Sequence, residues 1–93
     1  MDTQNDHKIA DCGEMADLIT GKSVVGAKQL RKALEKGRAS HVYLAENADP
    51  AITDPIAALC REYHVRCTWV RSMTDLGRAC GIDVGAAAAA AVD

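Results

Sequence analysis

The apolar positions change period several times along the chain. Ile9, Cys12, Ala16 and Ile19 recur near helical spacing, and Gly21 can end that helix. Ser23-Val24-Val25 then reads as a short strand. From Gly26 a second helix carries Leu30, Ala33 and Leu34 on one face, and Gly37 supplies a left-handed C-terminal cap. His41-Val-Tyr-Leu-Ala45 is a continuous apolar run suited to a buried strand. Asn47-Ala-Asp-Pro50 is turn chemistry leading into a third helix. That helix places Ile56, Leu59, Cys60 and Tyr63 on one stripe. Cys67-Thr-Trp-Val70 is rich in strand formers. Ser72-Met-Thr-Asp75 resembles a capping box and opens a short helix with Leu76, Ala79 and Cys80, ended by Gly81.

Helix and strand signals thus alternate with short connections, which predicts an α/β domain with helices on both faces of a central sheet. Residues 1–7 are polar and read as a disordered N-terminus, leaving 8–93 as one domain. Ninety-three residues hold one core and little else. Phe is absent and there is one Trp, so Ala, Val, Ile and Leu must fill that core. The exception to simple patterning is the tail, where six consecutive alanines follow Gly85. Local propensity alone makes it a helix.

No apolar run approaches the roughly 20 residues of a membrane span. The acidic start, Met1-Asp-Thr-Gln-Asn-Asp-His7, lacks the basic and apolar parts of a signal peptide, so a cytoplasmic protein is expected. Cys12, Cys60, Cys67 and Cys80 form no Cys-x-x-Cys pair and have no His at zinc-finger spacing. They read as small, mostly buried thiols, with neither metal nor other cofactor expected.

Charge changes the picture more. The net charge is −2, yet residues 21–38 hold Lys22, Lys28, Arg31, Lys32, Lys36 and Arg38 against Glu35 alone. A basic block between acidic flanks is either a solvated helix face or a local anion-binding surface. Gly26-Ala-Lys-Gln-Leu-Arg-Lys32 stands at a helix start, where free N–H groups and the dipole favour phosphate. Lys28 and Lys32 share a face there, and Gln29 can present donor and acceptor to a base edge. Gly81-Ile-Asp-Val-Gly85 puts two apolar residues in a loop. They either fold inward or form an apolar wedge against an unstacked base.

Catalytic chemistry finds little support. Ala16-Asp-Leu-Ile-Thr-Gly21-Lys22-Ser23 resembles a loose Walker A loop with Ala for the first Gly. Such a loop follows a strand and opens a helix, whereas here the predicted order is reversed. His7, His41 and His64 stand in no nucleophile motif. A phosphate-handling enzyme built on the Gly21-Lys22-Ser23 turn is the alternative reading, and the expectation is no enzyme and no catalytic residue.

Three blocks in order carry a resemblance. Val25-Gly-Ala-Lys-Gln-Leu-Arg-Lys-Ala-Leu34, Ala45-Glu-Asn-Ala-Asp-Pro50 and Leu76-Gly-Arg-Ala-Cys-Gly-Ile-Asp-Val-Gly-Ala86 closely resemble the kink-turn-binding large-subunit ribosomal protein family of the L-seven-Ae type. The bacterial YbxF-like branch is the nearest match, over nearly the whole chain. The resemblance implies a three-layer α/β/α sandwich around a four-stranded mixed sheet, with the alanine tail as its last strand. Small side chains there would let two helical layers approach the sheet closely. It also implies RNA binding. Kink-turns are helix–bulge–helix elements with tandem sheared G·A pairs, drawn from ribosomal RNA, a riboswitch or elsewhere. Gly26, Lys28, Gln29 and Lys32 would enter the widened groove at those pairs. Glu46 matches an acidic position near the extruded nucleotide, Ile82, Asp83 and Val84 match the loop on the bulge, and Arg78 lies beside that loop within reach of phosphate. Lys28-Gln29 stands where archaeal and eukaryotic relatives carry Asn-Glu, in keeping with the bacterial branch. The expected protein is a monomer without a small-molecule substrate, and either an accessory factor or a stoichiometric ribosomal component.

Overall fold

His41 to Ala45 lies at the centre of the sheet, and the other strands assemble around it. The computed structural model describes residues 9–10 and 22–92. In chain order these form β1 (Ile9–Ala10), β2 (Lys22–Val25), α1 (Ala27–Glu35), β3 (Ala39–Ala45), α2 (Pro50–Tyr63), β4 (Arg66–Val70), α3 (Met73–Ala79) and β5 (Ala88–Val92). The strand order is β1-β4-β3-β5-β2. β1, β3 and β4 pair in parallel, whereas β5 runs antiparallel to both β3 and β2. The four longer strands are the expected mixed sheet. The difference lies at Ile9 and Ala10, which the apolar period assigned to a helix but which pair with Trp69 and Val70. Pairing satisfies part of the otherwise open edge of β4, a gain that local periodicity does not register. The remainder of that predicted helix, with Cys12, and the N-terminal tail lie outside the described residues.

Alternation along the strands builds two cores. Val42 and Leu44 of β3, with Ala88 and Ala90 of β5, face Leu30 and Leu34 of α1 and Ile56 and Cys60 of α2. Tyr43 and Ala45, with Ala89 and Ala91, face Leu76 and Ala79 of α3. Helices therefore cover both faces, giving the three-layer α/β/α sandwich. Ala88 to Ala91 are all buried. A strand buried on both faces beneath helices needs small side chains, and the alanine tract meets that need against its own helical propensity.

Local signals explain the helix ends. Asp49 accepts from the Ala51 N–H at 2.9 Å to cap α2, and Ser72 Oγ accepts from the Asp75 N–H at 3.1 Å to cap α3. Gly37 (φ +69°) and Gly81 (φ +79°) end α1 and α3 in the left-handed region. Behind α2 the same place is taken by His64 at φ +58°, just past the last helical residue, Tyr63. Tyr63 on the predicted stripe stays 41% exposed because the chain turns away there, while Ile56 and Cys60 are buried. Cys60 is buried, and Cys67 and Cys80 are half-buried. A hydrogen bond with the Cys60 thiol, reinforced by burial, pushes the Cys67 thiol up, which keeps it protonated.

The alanine strand gives a direct test of this packing. Ala90→Leu should destabilise the protein by about 1–3 kcal/mol through overpacking under α1 and α2, read by urea denaturation. Unchanged stability would mean that the small side chains are not required.

Candidate functional site

The sheet topology decides which sequence segments meet. β2, β3 and β4 all end on the side where antiparallel β5 begins. Whatever follows those strands, and whatever precedes β5, must share that end of the molecule. The start of α1 follows β2, Glu46 follows β3, α3 follows β4, and loop 81–85 precedes β5.

Backbone hydrogen bonds fasten these pieces together. The Gly26 N–H donates to the Ala88 carbonyl at 3.0 Å, tying the cap of α1 to the first residue of β5. The Ala45 N–H donates to Ala87 at 2.9 Å, and the Glu46 N–H to Val70 at 2.8 Å. The Met73 N–H donates to Asn47 Oδ1 at 2.9 Å, and the Ala86 N–H to the Met73 carbonyl at 3.0 Å. A continuous chain of contacts therefore runs from the tip of α1 to the start of α3. Val25 and Ile82 also pack on one apolar cluster.

Each candidate residue takes its place in this frame. Gly26 adopts φ +99° and ψ 148°, a conformation open to glycine and costly for other residues. It turns the chain out of β2 and starts α1 with no side-chain cap and no acidic residue in the first turn. The first N–H groups of α1 therefore keep their positive end directed outward. Lys28, Gln29 and Lys32 are exposed beside it, and Glu46 is half-buried. Arg78 is exposed in the last turn of α3.

The loop separates its two apolar residues. Ile82 packs inward on the cluster beneath α3, whereas Val84 is 69% exposed. Asp83 between them is exposed. The loop is pinned from α3: the Gly81 N–H donates to Arg78 and the Ile82 N–H to Gly77, both at 3.0 Å. The exposed apolar residue of the loop is thus Val84 alone, on a base hydrogen-bonded to α3.

Two positioning residues were missed by sequence reasoning. Gly77 is buried in α3, and a Cβ there would overlap the Val84 carbonyl oxygen. Only the bare backbone lets the loop lie so close. A glycine inside a helical pattern was the available signal, since it costs about 1 kcal/mol relative to Ala unless packing requires it. Asn47 gave none, because its partner is 26 residues away.

The Walker-like reading fails on context. Lys22 and Ser23 belong to β2, paired with Val92 and Ala91, and no helix starts until Ala27. A phosphate cradle needs consecutive backbone N–H groups converging in a loop, whereas extended β2 points successive N–H groups to opposite sides, alternate ones into its ladder with β5. Gly21 lies outside the described residues. Among the described residues no group of three or more His, Cys, Asp or Glu could hold a metal ion. Among them also, no helix is long and apolar enough to cross a membrane.

Comparison with known proteins agrees with this architecture. The sequence profile of the Ribosomal protein L7Ae/L30e/S12e/Gadd45 family matches residues 15–93. An RNA-binding protein of Geobacillus sp. is 49% identical over 75 residues, covering 81% of this chain and 92% of its own. The RNA-binding protein YbxF of Geobacillus stearothermophilus is 48% identical over 73 residues, covering 78% and 89%. Among solved structures, a 15.5kD RNA binding protein of Giardia lamblia superposes with a TM-score of 0.80 at 22% identity, over 100% of this chain and 84% of its own. At that identity the superposition speaks for the fold.

The close approach at Gly77 has a measurable sign. Helix propensity predicts that Gly77→Ala stabilises α3, whereas the overlap with Val84 predicts a loss of about 1–3 kcal/mol. Denaturation should show the loss, with faster amide exchange across loop 81–85; a gain in stability would remove Gly77 from this role.

Proposed function

The chain belongs to the ribosomal protein L7Ae/L30e/S12e/Gadd45 family, in its YbxF-like branch, and from that premise we propose that it is an RNA-binding protein that recognises and stabilises kink-turn RNA. It works as a binding module and not as an enzyme. The observation that carries the reading is the juxtaposition of an uncapped, positively poled helix tip with an exposed apolar residue on a pinned loop.

Each part suits one feature of kinked RNA. Regular A-form helices hide their major groove, so proteins read places where the duplex is widened or a base is unstacked. The N–H groups of α1 and the Lys32 ammonium suit phosphate oxygens. Lys28 and Gln29 suit the base edges opened at sheared G·A pairs, where the amide of Gln29 both donates and accepts. Val84 offers a small apolar surface to an extruded nucleotide. Glu46 and Asp83 offer acceptors to exocyclic amines or 2′-hydroxyls, and Arg78 offers a planar donor set to phosphate. Binding the bent form better than the extended one shifts the RNA towards the bend, by no more than the difference in affinity. The same surface serves an accessory factor or a ribosomal component.

Two measurements test the reading. A kink-turn RNA should bind at least about tenfold tighter than a twin whose G·A pairs are disrupted, equivalent to about 1.4 kcal/mol. Equal affinities would remove kink recognition. Lys32→Ala should weaken binding and lower the slope of log K against log salt by about one. An unaltered slope would show that Lys32 does not meet phosphate.

A further inference from the structure

We propose that a groove along the flank of α1 is a second nucleotide site, one that takes the sugar–phosphate backbone of the strand leaving the kinked element. The proposal rests on the RNA-binding reading above and extends it to residues outside that surface. The floor of the groove is apolar, formed by Val24, Ala33 and Val92. Its rim carries Gln29, Lys32, Lys36 and Arg38.

Helix geometry makes the rim a track. Gln29, Lys32 and Lys36 recur at i, i+3 and i+7 and fall within roughly 60° of the α1 circumference. Glu35, the one acidic residue of α1, stands roughly 100° from Lys36 and roughly 60° from Lys32, and it is not among the residues that line the groove. Lys22 adds a further charge, because it shares a sheet face with Val24 and pairs with Val92 at the far end. From Gln29 to Lys36 the helix rises about 10 Å, the axial span of about three stacked nucleotides.

Continuity points to a nucleic-acid strand. Gln29 and Lys32 belong both to the tip surface and to the groove, so a strand bound at one end runs on into the other. The apolar floor suits the ribose face of that strand, with phosphates directed at the rim. A free nucleotide shares this chemistry and is the competing source.

The test uses the whole chain and two kink-turn RNAs, one with long stems and one trimmed to the pairs that flank the kink. Lys36→Gln should weaken binding of the long RNA about threefold near 0.15 M salt and lower its salt slope by about one. The trimmed RNA should bind both proteins alike. Arg31→Gln, which removes the same charge from another face of α1, should not reproduce this dependence on stem length. Unchanged binding of the long RNA, an equal loss on both RNAs, or the same pattern for Arg31→Gln would each overturn the proposal. Micromolar binding of 5′-AMP, abolished by Lys36→Gln while the RNA slope stays fixed, would overturn the strand in favour of a free nucleotide. If the wild type fails to prefer the kink over its G·A-disrupted twin, the functional reading falls by itself. The Lys36 slope on long and short plain duplexes then still decides the groove.

Discussion

The antiparallel insertion of β5 between β3 and β2 is the constraint on which the rest of the structure depends. Its neighbours run the other way, so the residues before β5 emerge where β2, β3 and β4 end. The hydrogen bond from Gly26 to Ala88 fixes this meeting point. Were β5 parallel, loop 81–85 would lie at the opposite end of the sheet from the tip of α1. The meeting of these segments at one end is thus a consequence of strand direction before it is a consequence of any side chain.

That placement demands small residues. β5 lies beneath α1 and α2 on one face and α3 on the other, and Ala88 to Ala91 are buried on both. The same economy recurs at Gly77, where the loop backbone rests against α3 with no room for a Cβ. Close packing gives the loop a rigid seat, and rigidity reduces the entropy that must be lost when a ligand is bound. Val84 stands out from a base held by Ile82, Gly81 and the Met73–Ala86 hydrogen bond.

Electrostatics is local here. The net charge of −2 opposes general attraction to polyanions, while residues 21–38 concentrate the cations on α1 and its flanks. Such a distribution favours selectivity over indiscriminate attachment, since charges farther than about a Debye length are screened.

The sequence by itself determined most elements. α1, α2 and α3, β3, β4 and the caps at Asp49, Ser72, Gly37 and Gly81 follow from period and turn chemistry, because those signals act over a few residues. It also determined the candidate residues on α1, since a helix start and its charges are local. Tertiary structure decided what depends on distant partners. It made Ile9–Ala10 a strand at the edge of β4, and it placed Lys22 and Ser23 in a ladder instead of a loop. It packed Ile82 inward and left Val84 exposed, and it gave Asn47 and Gly77 their partners. The alanine tract shows the reason most clearly. Its helix propensity is a few tenths of a kcal/mol per residue relative to ordinary residues, and burial on both faces of a sheet outweighs it.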